Sequence, residues 1–536
     1  MQMIQEAKAC WNDLKEYYRQ TKVLRWFFAF LLLIVYGIRL VQEDLFIDSE
    51  IMLTDPGAML FSWYGHKRPG LVWAKKLFGM GRLVPFLSNG LLVLMLWCLT
   101  FGLCFCMDYW DGRRKTDMGR NVLFSIFFLS APCLVEQFNF LLQAFEIALA
   151  MLICLLAAFC AGLWVYEKRS PGWLMVAWGC MMWSFGFYQA FPAFYIALVV
   201  ISYMGVFLQD RRTCGLKEGL WHVGIFLVGF VGSQLATEVM ARRTGASSSY
   251  VNAMFLWGKE SLQTCLSNIR LEIWWMYQGN RPEFYHRLFT VVTAAASLLW
   301  LWIGWKRKGE RSDKKKTQKG DGLRCLCFAF AVVFLTVTPI LITLLTGMNQ
   351  PIRGQLVFPL VFAYEVMALY GGVKEILGKY KMVTAVVLLL GIRVGWGQCM
   401  TACQLWETAH EGYVQDVLTA NRMYPDICQA AGEEPVEECT VVFVGQRGLS
   451  LAGDALVGDA IGHSFFQWDA DVANGVGIRV QALFDVLGMN MKKPQVDEAQ
   501  YQEAQDACQG RPVWPAKGSV FKIRDGLIAV KLSETS

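Results

Sequence analysis

The chain lacks most of what soluble enzymes use. Only five of its 536 residues are histidine, which leaves a hydrolase triad little to draw on. No GxSxG elbow and no HExxH pair occurs. Glycines gather in GQRGLSLAGDALVGDAIG (445–462), but with neither Walker nor dinucleotide spacing, which argues against a phosphate-cradling loop. The seventeen cysteines form no CxxC pair and no spacing that suits zinc. CFC at 104–106 and CLC at 325–327 lie in apolar context, where a free thiol behaves as a small hydrophobe. Cys428, Cys439 and Cys508 are the three placed where they could pair. No internal repeat is present, and no small-residue cleavage site follows the first apolar run, so that run reads as a retained anchor.

What is abundant is apolar sequence: 55% of the residues are hydrophobic, with 21 Trp and 36 Phe. They come as long unbroken runs, each long enough to cross a hydrocarbon layer about 30 Å thick. Inside such a layer every peptide group must bond within its own span, so the runs should be helices. The expected fold class is an α-helical polytopic membrane protein. About eleven spans are expected, near 24–41, 84–107, 121–135, 144–166, 173–188, 191–208, 219–238, 288–305, 325–346, 356–371 and 383–400. The third, fifth and tenth read as short or interrupted.

Lys and Arg set the orientation. With a cytoplasmic N-terminus, the inner connections are DYWDGRRKTDMGR, YEKRSPG, QDRRTCGLKE, 306–324 and 371–382, which hold 21 Lys and Arg in 61 residues. The outer connections hold 12 in about 115. The Lys-rich run WKRKGERSDKKKTQKGDGLR reads as a topology signal, not as a nucleic-acid site. Three parts are then expected: an amphipathic helix on the inner surface (1–23), a membrane domain (24–403) with external loops 42–83 and 239–287, and an extracytoplasmic α/β domain (404–536). In the last, TVVFVG (440–445) reads as a strand, VANGVGIRVQALFDVLGM as a helix, and SVFKIRDGLIAVKL as a hairpin about Asp525-Gly526.

Directly after the first span comes EDLFIDSE (43–50), four carboxylates in eight positions. Asp44 and Asp48 share a face if the stretch is helical, Asp48 and Glu50 if it is extended. Crowding raises at least one carboxyl pKa, which suits a general base. The same loop carries SWYGHKRPGLVWAKKLFGMGR, with Trp63, Tyr64, His66, Lys67, Arg68, Lys75, Lys76 and Arg82. Cations beside acids at a membrane surface fit a lipid-phosphate substrate. Arg68 can grip a phosphate with two bonds and Lys67 can act as a point charge.

The element IDSE followed by SWYGHKRPGLVWAKKLF resembles the first external loop of the bacterial Gtr-type O-antigen glucosyltransferases. The resemblance continues at PIRGQLVFPLVFAY (351–364), GHSFFQWD (462–469) and the terminal hairpin. Two departures stand out: Ser49 where a second acid is frequent, and Lys67-Arg68 in place of Gly-Arg. The resemblance implies a GT-C-type membrane enzyme that takes a sugar, glucose above all, from a polyprenyl phosphate and passes it to a glycan on the outer face.

On that reading Asp48 or Glu50 takes the acceptor's proton and Asp44 tunes the base. Arg68 and Lys67 hold the donor phosphate, with Arg82, Arg281 and Arg353 in support. Trp63 and Tyr64 are candidates to stack on sugar rings. No cofactor is called for; if a divalent cation takes part, Asp48, Glu50 and Asp469 are its candidate ligands. Glu146, Glu365 and Arg393 are further suspects because they lie in or near spans. The rival reading is a transporter or flippase of a lipid-linked or anionic substrate. It would need broken helices and polar midplane residues, often in two related halves.

Overall fold

The computed structural model describes residues 1–113, 116–209, 213–312, 321–472, 474–492 and 496–534. Parts of the basic connections (114–115, 210–212 and 313–320) lie outside the described residues. Helices dominate. Among the described residues, eight are long and apolar enough to cross a membrane: Pro85–Trp110, Leu141–Val165, Phe191–Gln209, Leu216–Thr244, Phe289–Lys306, Gly322–Thr346, Val357–Leu377 and Lys381–Ala431. A bent pair, Met118–Leu129 and Pro132–Asn139, makes a ninth if it is one span.

The expected count of about eleven is therefore not confirmed among the described residues. The first and fifth expected spans form helices of 15 and 14 residues, Lys22–Tyr36 and Gly172–Phe185. The third is the bent pair, turned by 48°. Pro132 starts its second half and, lacking an N–H, cannot continue the first. The freed Phe127 carbonyl accepts from Gln398 Nε2 at 2.9 Å, and the same amide reaches Ser130 Oγ at 3.1 Å. The tenth, expected to be short, is a full 21 residues, Val357–Leu377.

The connections between helices gather at two ends of the bundle. At one end Glu6 accepts from Trp173 Nε1 (2.9 Å), Lys374 pairs with Asp117 (2.9 Å), and Arg120 with Asp111 (2.7 Å). At the other, Gly70 N–H donates to Gly186 O (2.8 Å), Gln189 Nε2 to His66 O (3.0 Å), Leu256 N–H to Thr346 O (2.8 Å) and Asn89 Nδ2 to Arg39 O (2.7 Å). The acidic loop lies at this second end. The sequence reading expects these two groups on opposite sides of the membrane.

The N-terminal helix Gln2–Gln20 forms as expected. The last apolar helix, Lys381–Ala431, is 51 residues long, about 75 Å at 1.5 Å per residue. Only about 20 residues are needed to cross a bilayer, so it runs far beyond one. Its later turns face the C-terminal segment: Asp416 accepts from Phe465 N–H at 3.0 Å, and Thr408 Oγ1 accepts from Leu456 N–H at 3.2 Å. Beyond it three strands form a sheet in the order β1-β3-β2, with β1 Thr440–Val444, β2 Val520–Arg524 and β3 Leu527–Lys531. β2 and β3 are the expected hairpin, antiparallel about Asp525-Gly526; β1 runs parallel to β3. The helix Gly475–Val486 packs beside them. All seventeen cysteines are free thiols.

Candidate functional site

The element IDSE turns sharply. Asp48 precedes the short helix Ser49–Thr54 in a left-handed conformation, φ 72°, uncommon for a residue with a Cβ. Its carboxylate caps no helix N–H and instead turns outward to a cation. Glu50, in the first turn, is fully buried. Both reach one atom: Arg479 Nη1 lies 2.8 Å from Asp48 Oδ1 and 3.0 Å from Glu50 Oε1. Asp469 Oδ2 holds Arg479 Nε at 2.7 Å.

Arg479 is delivered by the helix Gly475–Val486. The turn before it is tight: a Cβ on Gly475 would stand 2.2 Å from the Asp469 carbonyl oxygen. Asp469 and Asn474, which bracket this turn, are also left-handed (φ 58° and 57°). Such conformations persist where the surroundings over-determine them, and they concentrate at functional sites.

Three carboxylates thus share one guanidinium. Burial pushes the Glu50 carboxyl up to about 7; Arg479 opposes this and Asp48 adds to it. For Arg479, burial alone would lower its pKa, but Asp48, Glu50 and Asp469 outweigh it and hold the guanidinium above its ordinary value. Glu50 Oε2 has no hydrogen-bond partner among the described residues. Asp48 and Asp469 remain partly open, at 36% and 41% side-chain exposure. A substrate can therefore reach the cluster from outside.

His66 and Arg68 stand nearby. Burial lowers the His66 pKa first, Arg68 lowers it further, and Asp48 opposes, so all three lie within electrostatic reach. Arg68 packs its guanidinium over Tyr188, 4.7 Å from the ring centroid, and its Nε reaches Gln189 Oε1 at 3.4 Å. Lys67, left-handed at φ 58°, pairs with Glu238 at 3.4 Å. Trp63 is buried and Tyr64 half-buried. Arg82 is exposed and makes no ion pair among the described residues. Asp44 does not join the Arg479 cluster; it pairs with His410 Nδ1 at 2.9 Å.

A second polar cluster joins the C-terminal segment to the bundle. Asp459 accepts from Arg281 Nη1 (3.0 Å) and from Ile352 N–H (2.6 Å). Buried Glu136 accepts from Ala460 and Ile461 N–H, both at 3.3 Å. A Cβ on Gly458 would fall 1.5 Å from Glu136 Oε1, so any larger residue there must displace the Glu136 carboxylate. Arg353 lies over Phe140 (4.8 Å), which packs against Phe46 (5.2 Å). Glu272 accepts from Gln355 Nε2 at 2.6 Å, and burial pushes its carboxyl up to about 7.

Glu365 and Glu146 are buried among helices, the first bonded to Thr293 Oγ1 (2.7 Å) and the second paired with Lys75 (2.5 Å). A cavity of about 610 Å³ lies at the opposite end of the bundle, lined by Asp13, Tyr17, Asp108, Trp110 and Phe159, and holds none of the acidic-loop residues.

Sequence reasoning singled out Asp48, Glu50 and Asp469 but missed Arg479, Glu136 and Asp459. One signal was there for Arg479: it is the only cation in the apolar helix GVGIRVQALFDV, and a buried cation needs a partner.

No curated protein and no solved structure matches the chain. A sequence model of one family does, over residues 37–370, more than half of the chain, taking in the acidic loop, His66 to Arg68 and the Arg353 turn. The chain belongs to the glucosyl transferase GtrII family.

Proposed function

We propose that this glucosyltransferase moves a hexose, glucose, from a polyprenyl-phosphate donor to a cell-surface glycan on the outer face of the cell membrane. One observation carries the reading. Asp48 and Glu50 meet beside His66 and Arg68 at the end of the bundle where the expected outer connections gather. The N-terminus is then cytoplasmic, 24–403 hold the membrane part and 404–536 stand outside.

In the reaction an acceptor hydroxyl attacks the anomeric carbon. Glu50 or Asp48 takes its proton as general base. The bond from the anomeric carbon to the phosphate oxygen breaks, and its electron pair leaves with the phosphate. That group departs as an anion, so positive charge helps it more than an acid does. Arg68 is the cation best placed to supply it, with Lys67 beside it. Arg281 and Arg353 face the C-terminal segment from neighbouring turns and can steer the donor.

The test is transfer of labelled glucose from a polyprenyl-phosphate donor by the purified protein. Labelled glycan product supports the proposal. Movement of the lipid-linked sugar across vesicles with no bond broken would replace it with transport.

A further inference from the structure

Arg479 lies well past residue 370, outside the segment the family model matches, yet two of its three ion pairs are with acids inside that segment. We propose that Arg479 is a positioning residue of the transferase site: it aims Asp48 and Glu50 and keeps Glu50 a carboxylate. Asp469 and Arg479, from the C-terminal segment, thereby complete a site whose other two acids stand in the first loop. The inference rests on the reading of Asp48 and Glu50 as the transfer site.

The geometry carries it. A single nitrogen, Nη1, is shared by Asp48 Oδ1 and Glu50 Oε1 at 2.8 and 3.0 Å, which brings two carboxylates of different backbone origin to one point. The third bond, from Nε to Asp469 at 2.7 Å, fixes the plane of the guanidinium. A planar fork can hold three acceptors in set directions, whereas an ammonium on a flexible stem cannot. Two of the three acids are held in left-handed backbone conformations, so the chain is bent from both sides to make this contact. With Oε1 of Glu50 engaged, Oε2 is left without a partner among the described residues.

The groups facing Glu50 are few. Arg479 comes from its own helix and Asp48 from the preceding turn. Asp469 stands behind Arg479, and His66 ends the neighbouring helix Pro56–Gly65. The short helix Leu141–Gln143, packed on the other side, brings no charge. Arg479 is the one cation in direct contact with Glu50 among the described residues. An opposite charge at this range typically moves a carboxyl by about 1–3 pH units.

The experiment compares Arg479→Gln, Arg479→Lys and Asp469→Asn in the full-length protein. Transfer is followed from pH 6 to 9. In Arg479→Gln the half-maximal pH is expected to move upward by about one unit or more. Activity at pH 7 should fall about fivefold or more and recover in part at pH 9, with donor KM little changed. Arg479→Lys should lie between it and the wild type. A uniform loss with an unmoved midpoint would mark a merely structural role and overturn the proposal.

A second readout needs no transfer. Dicyclohexylcarbodiimide adds to protonated carboxyls in apolar surroundings, and its adduct on Glu50 is read by mass spectrometry. Labelling should persist to higher pH in Arg479→Gln than in the wild type, and coincident curves would sink the idea. If Arg479→Gln does not fold, the same comparison with Asp469→Asn and Arg479→Lys decides. If labelling shifts but the wild type transfers no glucose, the proposed function fails while the positioning of Glu50 stands.

Discussion

The buried pair Lys75–Glu146 makes a sharp quantitative test of how the acidic loop is tied to the bundle. Lys75 sits in the last turn of the helix Pro69–Leu77, and Glu146 in the first turn of Ala144–Val165. Both side chains are completely buried, 2.5 Å apart, with Lys75 Nζ also 5.2 Å from the Phe145 ring centre. Removing one partner strands the other charge in an apolar site. Lys75→Met or Glu146→Leu alone should therefore cost about 3–5 kcal/mol. Replacing both together, Lys75→Met with Glu146→Leu, removes the desolvation of two ions as well as their attraction, and such swaps are often neutral or stabilising by about 1–4 kcal/mol. The double variant should thus be more stable than either single one, a strongly non-additive cycle. Reversible unfolding by SDS titration in mixed micelles measures all four proteins. Single variants within about 0.5 kcal/mol of the wild type, the range of ordinary surface changes, would refute the reasoning. So would a double variant as weak as the sum of the two.

Other outcomes follow from the site. Asp48→Asn and Glu50→Gln should insert and fold normally while glucose transfer falls at least about a hundredfold, the lower range for loss of a general base; undiminished transfer in both would remove their role. Glu50→Gln should also raise the unfolding midpoint at pH 8 and change it little at pH 4, below the ordinary carboxyl value. Burial holds the folded Glu50 carboxyl above its unfolded value, up to about 7, so the wild type loses stability as pH rises through that window and the amide does not. A midpoint shift equal at both pH values would contradict this. Gly458→Ala should loosen the C-terminal segment, because the new methyl overlaps Glu136 Oε1 and forces off the Ala460 and Ile461 N–H groups. Limited proteolysis near residue 458 should speed up, and an unchanged digestion rate would count against the contact.

The helices were legible because an apolar run in a membrane has one way to satisfy its backbone. Their number was harder to read. Whether Gly172–Phe185 spans depends on where Pro171 and Gly186 stop it, and hydropathy is blind to that difference of a few residues. The terminal hairpin was legible from Asp525-Gly526, since that turn needs a left-handed glycine (Gly526 φ 73°). Asp48 and Glu50 stood out by their density next to a span. Their partner did not, because Arg479 is 431 residues from Asp48 and nothing local joins them. The left-handed turn at Asp48 was equally silent, since aspartate tolerates that conformation better than most residues and leaves no mark in the sequence. Nor could spacing reveal that Asp44 turns to His410, 366 residues on.

The order of synthesis matters for such an arrangement. Ribosomes emit Asp48 and Glu50 with the first hairpin of the chain and Arg479 only after the 51-residue helix has been made. Throughout that interval the two acids lack the Arg479 contact, so on the proposed reading a half-finished chain already lodged in the bilayer holds an incomplete site. Premature termination between codons 370 and 479 yields a product that carries the family's matched segment intact and still lacks the cation on which its acids close.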